Sequence, residues 1–194
     1  MNTTSLSLLD RLKKARPDDP DWRKLRDIYV PLIRAWMVRI ANLRDEADDL
    51  AQEVFLTLIR ELPAFQRRRT GSFRAWLRQI TTNRLQALLR ARRRQPLAGL
   101  GSEADQLLAQ LQDPNSEASR QWDADHDRHV FQKLLAVVQP DFEPATWKAF
   151  TRFALDDLSA AAVARELGMS ESSVVQAKHR VLKRLREEVR GLMD

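Results

Sequence analysis

Apolar residues recur every three or four positions along most of the chain, a period that predicts helices. Trp22, Leu25, Ile28 and Tyr29 mark one face, and Leu32, Ile33, Trp36, Met37 and Ile40 continue it past Pro31, where a kink or restart is expected. Asp45 suits the N-cap of a next helix, whose stripe is Leu50, Val54, Leu58 and Leu62 and whose end is Pro63. Ser72 is expected to cap a third, with Phe73, Trp76, Leu77, Ile80 and Leu88 as its buried line. Further on, Pro144 fits a first helical turn, and Trp147, Phe150, Phe153 and Ala154 form the inner face behind it. Ser159 caps a short helix over 160–167, and Gly168 can take the left-handed conformation that stops it. Ser170 then caps a long helix with Val174, Ala177, Val181, Leu182 and Leu185 facing inward. Only five glycines and one tyrosine occur, which argues against the short strands and glycine-rich turns of an all-β sandwich. The expected fold class is all-α.

Turn-forming clusters at Pro96–Ser102 and Asp113–Ser116 interrupt the pattern, with one short amphipathic helix expected between them over Glu103–Gln112. The expected organisation is a helical bundle over 1–95, a linker over 96–127 and a second small helical domain over 128–194. Charge follows the same division. Residues 43–61 hold six acids and two arginines, and residues 66–94 hold ten arginines and no acid. Residues 102–127 hold seven acids against Arg120, and residues 176–190 hold six Lys/Arg against Glu187 and Glu188. Two basic surfaces separated by an acidic stretch, with a net charge of +6, point to a polyanionic partner. The absence of cysteine excludes disulfides, thiolate zinc sites and thiol catalysis, and suits a reducing compartment. No run of about 18 apolar residues and no signal-peptide core occurs, so a soluble, cytoplasmic protein with no membrane partner is expected.

Residues 158–182 read as a helix-turn-helix. Ala164 is small where two helices cross, Gly168 permits the turn, and Val163, Leu167, Met169 and Val174 fill the angle between them. The first turns of the second helix then present Ser172, Ser173, Val175, Gln176 and His179 towards base edges in a major groove. Lys178, Arg180, Lys183 and Arg184 follow as phosphate partners, which position the helix without reading sequence. The bland alternative is a helical hairpin with a solvated basic face.

The arginine-rich stretch surrounds Phe65, Phe73, Trp76, Thr81, Thr82 and Asn83 with cations, a composition suited to an unpaired strand. Core packing is the better reading of Phe73 and Trp76, given their spacing. Ten arginines with no local acid are expected to need an anion nearby. In Asp48-Asp49-Leu50-Ala51-Gln52-Glu53, Asp49 and Glu53 lie one turn apart. With no third ligand they suggest a protein-docking face rather than catalysis or a metal, although first-turn acids also stabilise a helix on their own. His126 and His129 could share a metal with a neighbouring aspartate, but the segment offers no second shell; no metal and no cofactor are expected.

The succession of Asp48-Asp-Leu-x-Gln-Glu-Val-Phe55, then Gly71-Ser-Phe-Arg-Ala-Trp-Leu77 running into Ile80-x-x-Asn83, an acidic linker and a terminal helix-turn-helix resembles a known family. It is similar to the extracytoplasmic-function group of the sigma-70 family, over about residues 20–95 and 140–190. The resemblance implies two domains, sigma regions 2 and 4, in a non-enzymatic factor that directs core RNA polymerase to promoters. Asp48, Asp49, Gln52 and Glu53 would dock on the clamp coiled coil of the β′ subunit. Arg74, Trp76, Arg78, Thr82, Asn83, Arg84 and Arg90 would handle the minus-ten element, with Asn83 and the loop 65–72 at a pocket for a flipped base. Ser172, Ser173, Val175, Gln176, Lys178, His179, Arg180 and Lys183 would read the minus-thirty-five element while region 4 touches the β flap. The linker would thread towards the RNA exit path, and an anti-sigma protein is a further implied partner. The chain departs from many members at Val175-Gln176-Ala177, where they carry Arg-Ser-Arg, and in its more basic loop 66–71. Two rivals remain at this stage: a stand-alone helix-turn-helix regulator of duplex DNA, and a helical metal-dependent hydrolase using His126 and His129.

Overall fold

A computed structural model describes residues 7–16, 18–39, 43–66, 72–94, 102–190 and 192–193. Its elements, in chain order, are α1 (Leu8–Leu12), α2 (Pro20–Met37), α3 (Ala47–Glu61), α4 (Ser72–Arg93), α5 (Ser102–Gln112), α6 (Glu117–Val138), α7 (Pro144–Ala154), α8 (Ala160–Leu167) and α9 (Glu171–Val189). The described residues contain no strand, so the all-α expectation holds. None of their helices is long and apolar enough to cross a membrane.

Local chemistry accounts for most boundaries. Asp19 accepts a hydrogen bond from the Asp21 backbone N–H at 2.8 Å, and Pro20 occupies the first turn of α2. That helix runs through Pro31 as one element, without the expected restart. Helix α3 starts two residues after Asp45, with Glu46 at the cap position and no side-chain cap bond. Asp48 and Asp49 in its first turn favour the start electrostatically instead. Ser159 and Ser170 cap α8 and α9 as expected, accepting from the N–H groups of Ala162 and Ser173. Gly168 ends α8 at φ +64°.

The connection expected over 96–127 differs most from the sequence reading. Helix α5 and the turn at Asp113–Ser116 fall where they were expected, but α6 starts at Glu117 and runs unbroken through the anticipated boundary at 127/128. The reason is a stripe at strict four-residue spacing: Ala118, Trp122, His126, Val130, Leu134 and Val138 are all buried. Trp122 packs on Trp36 of α2 with ring centroids 5.2 Å apart. Helix α5 contributes Ala104, Leu108 and Leu111 to the same core. This core unites α1 to α6 and takes in Val181 and Leu185 of α9, so α6 is the wall shared by the two ends of the chain. A second, smaller core of Ala149, Val163, Ala164, Val174 and Ala177 holds α7, α8 and α9 together. An ionic chain adds to the junction: Arg11 bonds Asp21 at 2.6 Å and reaches the buried Glu188 of α9 at 3.2 Å.

A polar network runs through the main core. His126 is fully buried, with Nδ1 3.0 Å from Asp127 and Nε2 3.3 Å from the Tyr29 hydroxyl. A carboxylate only accepts, so Nδ1 carries the proton, and in the neutral ring the Tyr29 hydroxyl donates to Nε2. Asp127 also receives Arg74 at 2.7 Å. Burial opposes the Asp127 charge, yet the His126 hydrogen bond and the Arg74 cation outweigh it and hold this carboxyl below its ordinary range. Burial pushes the Tyr29 hydroxyl well above its ordinary value, so it stays neutral. His129 donates through Nε2 to the Ile28 carbonyl at 2.6 Å. The two histidines therefore face different protein partners and do not converge. Among the described residues no group of three or more His, Asp or Glu side chains gathers as a metal site would.

Replacing Trp122 by Ala should destabilise the chain by about 3–5 kcal/mol in urea unfolding, the cost of truncating a buried aromatic side chain. A residue of an extended linker would change it by less than about 0.5 kcal/mol. Because the folded pKa of Asp127 is depressed, its contribution is present above the unfolded value of about 3.9 and is lost as pH falls. The gap in urea midpoint between the parent chain and Asp127→Asn should therefore be widest near neutrality and close below about pH 4. A gap constant across that range would show that the carboxylate charge contributes nothing.

Candidate nucleic-acid interface

Helix α3 divides cleanly. Leu50, Ala51, Val54, Phe55 and Leu58 are buried against α2 and α4. The opposite face exposes Asp48, Asp49, Gln52 and Glu53, so all four predicted docking residues share one accessible stripe. Asp48 is bonded to Arg34 at 2.5 Å in an exposed pair. Leu56 continues the stripe one turn on and is 65% exposed, the most exposed large apolar side chain described. The sequence reading missed it. The signal was available: a leucine falling outside the Leu50-Val54-Leu58 stripe on an otherwise acidic face.

Helix α4 does not present its arginines as the sequence suggested. Arg74 bonds Asp127 at 2.7 Å and Asp123 at 3.4 Å, while Arg78 bonds Asp123 at 2.9 Å and is only 8% exposed. Arg78 also donates to the Ser119 carbonyl at 3.3 Å. Arg92 is paired with Glu46. Arg84 donates from Nε and Nη2 to the Thr57 hydroxyl at 3.1 and 2.8 Å, tying α4 to α3. The anion that the arginines were expected to need is in part internal: α6 brings acids to Arg74 and Arg78, and Glu46, just before α3, meets Arg92. Thr82 is buried and donates to the Gln79 carbonyl at 3.0 Å. Trp76 is half-buried and stacks on Phe65 with centroids 4.6 Å apart, while Phe73 is fully within the core.

Of the seven predicted minus-ten residues, Asn83 and Arg90 stand exposed. Asn83 sits on a ridge between two cavities. One, of about 240 Å³, is lined by Thr57, Glu61, Ile80, Arg84 and Ala87. The other, of about 380 Å³, lies between α4 and the α5–α6 turn. The loop residues Arg67, Arg68, Arg69, Thr70 and Gly71, expected at the same place, lie outside the described residues.

Helix α9 presents a consistent outer flank. Ser172, Val175, Gln176, His179, Arg180 and Lys183 are exposed, and Ser173 and Lys178 are half-buried. The Lys178 ammonium lies 4.8 Å from the Phe153 ring centroid, which orients it without neutralising it. Arg180 donates to the Thr146 hydroxyl at 3.5 Å. Arg184, expected on phosphate, turns instead to Asp141 at 2.8 Å and Glu188 at 2.6 Å. Its guanidinium ties α9 to the segment that follows α6.

Known proteins place this arrangement. Residues 25–95 match the family model of sigma-70 region 2, the stretch that holds α3, α4 and most of α2. The chain is 27% identical over 171 residues to the ECF RNA polymerase sigma factor SigE of Mycolicibacterium smegmatis, covering 87% of this chain and 61% of that protein. It is 30% identical over 160 residues to the probable RNA polymerase sigma factor RfaY of Xanthomonas campestris pv. campestris, covering 81% of this chain and 38% of that one. The chain therefore spans about three-fifths and two-fifths of the lengths of these relatives. With its acidic α3 stripe, arginine-bearing α4 and terminal helix-turn-helix, the chain is similar to these sigma factors, and its residues 25–95 match sigma-70 region 2.

Proposed function

We propose that this chain is a promoter-specificity factor that binds core RNA polymerase, recognises two promoter elements and helps separate the strands at the start of transcription. It works in the cytoplasm, has no enzymatic activity of its own, and has region 2 in α2–α4 and region 4 in α7–α9. The observation that carries the reading is the segregation of α3 from α4 and α9. An exposed acidic stripe, Asp48, Asp49, Gln52 and Glu53, repels nucleic acid and suits a basic protein surface, for which the β′ clamp is the candidate. Leu56 adds an apolar contact at its end. The outer flank of α9, from Ser172 to Lys183, has the shape and charge to lie in a major groove at the minus-thirty-five element, with the β flap as a neighbouring contact.

On the minus-ten side, Asn83 beside its cavities is suited to receive an unstacked base, and Arg90 to hold phosphate. Capturing that base offsets part of an unstacking cost of a few kcal/mol. An anti-sigma protein covering the α3 stripe is a natural partner, since the stripe is otherwise open.

The test is run-off transcription with purified core polymerase on promoters bound by the holoenzyme. Promoter-dependent initiation is expected, and its absence would refute the proposal. The variant Asp49→Lys/Glu53→Lys should lose core binding by at least about a hundredfold in a pull-down titration while keeping the parent helical circular dichroism. Unchanged binding would remove α3 from the polymerase interface.

A further inference from the structure

We infer that α6 is an internal counter-ligand for α4: in the free chain Asp123 and Asp127 occupy the arginines that a separated strand would use, and strand capture requires α6 to withdraw. The inference rests on the reading of α4 as the strand-holding helix. Three contacts carry it. Arg74 and Arg78 lie one turn apart on α4, and Asp123 and Asp127 lie one turn apart on α6, so the two pairs mesh as a ladder of charge-assisted bonds of 2.7 to 3.4 Å. A guanidinium fork offers carboxylate and phosphate the same donors. While these are committed to α6, they are closed to nucleic acid.

The cover extends beyond the ion pairs. The cavity of about 380 Å³ next to Asn83 has Ala75, Gln79 and Thr82 of α4 on one wall and, on the other, Leu111 and Gln112 at the end of α5 with Pro114 of the α5–α6 turn. A base delivered to Asn83 from this side would meet that turn. The ladder is also placed to be exchanged. The side chains of Arg74, Asp123 and Asp127 retain 23%, 34% and 35% of their exposure, so a polyanion can compete for them from solvent. The contact behind the ladder is less complete than a settled core: the indole N–H groups of Trp36 and Trp122 are buried without an acceptor among the described residues. Release would therefore free two donors as well as two cations.

Two measurements test this on the full chain. In the first, fluorescence anisotropy follows binding of a short fluorescein-labelled single-stranded oligonucleotide by the free protein. The variant Asp123→Asn/Asp127→Asn should bind at least about fivefold more tightly than the parent, with a steeper salt dependence. The control Asp18→Asn/Asp27→Asn removes two exposed charges outside α4 and α6, and should shift affinity by less than about twofold. A folded Asp123→Asn/Asp127→Asn variant that binds no better than this control would overturn the inference.

The second measurement holds even if that variant fails to fold. The natural chain has no cysteine, so Gln79→Cys/Gln112→Cys can be joined across the cavity by a reducible bismaleimide. With core polymerase, the tethered protein should initiate at least about tenfold less transcript than the same sample after reduction. Equal activity before and after reduction would overturn the inference while leaving the polymerase reading intact. No promoter-dependent transcript in either state would instead refute that reading.

Discussion

The packing of Trp122 on Trp36 fixes how the rest of the molecule is arranged. It seats the first half of α6 against α2, and the four-residue stripe then carries the same helix on to α9. Were α6 displaced, the main core would lose Trp122, His126 and Val130 together, and Arg74 and Arg78 would lose their acids. A helix with four acids in its first eleven residues can lie against an arginine-rich neighbour because its apolar stripe supplies the burial and its acids face the cations. Hydrophobic period and charge pattern here reinforce one another.

Charge is consequently sorted by direction rather than by domain. Helix α3 turns its carboxylates outward, α4 turns two of its arginines inward onto α6, and α9 keeps most of its basic flank open while spending Arg184 on Asp141 and Glu188. The buried Glu188 shows how much the arrangement depends on pairing, since Arg11 and Arg184 both reach it from different elements. Among its described residues, a chain with a net charge of +6 thus presents an acidic face on α3 and a basic flank on α9, while Arg74 and Arg78 are paired with α6.

Most of the fold was legible in the sequence because caps and apolar spacing agree locally. Ser159, Gly168 and Ser170 mark their turns, and the inner faces of α2, α3 and α9 fall where the period puts them. Helix α6 escaped because a histidine interrupts its apolar stripe, and its acidity mimics a solvated connection. Only tertiary structure reveals that His126 is satisfied by Tyr29 and Asp127, and so belongs to the core. The site was legible in the same measure. Exposure follows helical register, so the α3 stripe and the α9 flank could be read directly, whereas partners 45 and 53 residues away from Arg78 and Arg74 could not. Leu56 was readable but overlooked, being an exception to a pattern rather than part of one.

Helix α6 packs on α2 and α4 in the free chain, and by the inference above it gives way when the polymerase and melted DNA engage. Hydrogen exchange of the full chain, free and then bound to core polymerase on an opened promoter, addresses this most directly. In the free chain the amides of residues 118–130 should exchange as slowly as those of α2, and in the complex they should exchange faster while the outer face of α3 becomes protected. Continued slow exchange of 118–130 in a complex that has opened its promoter would contradict it.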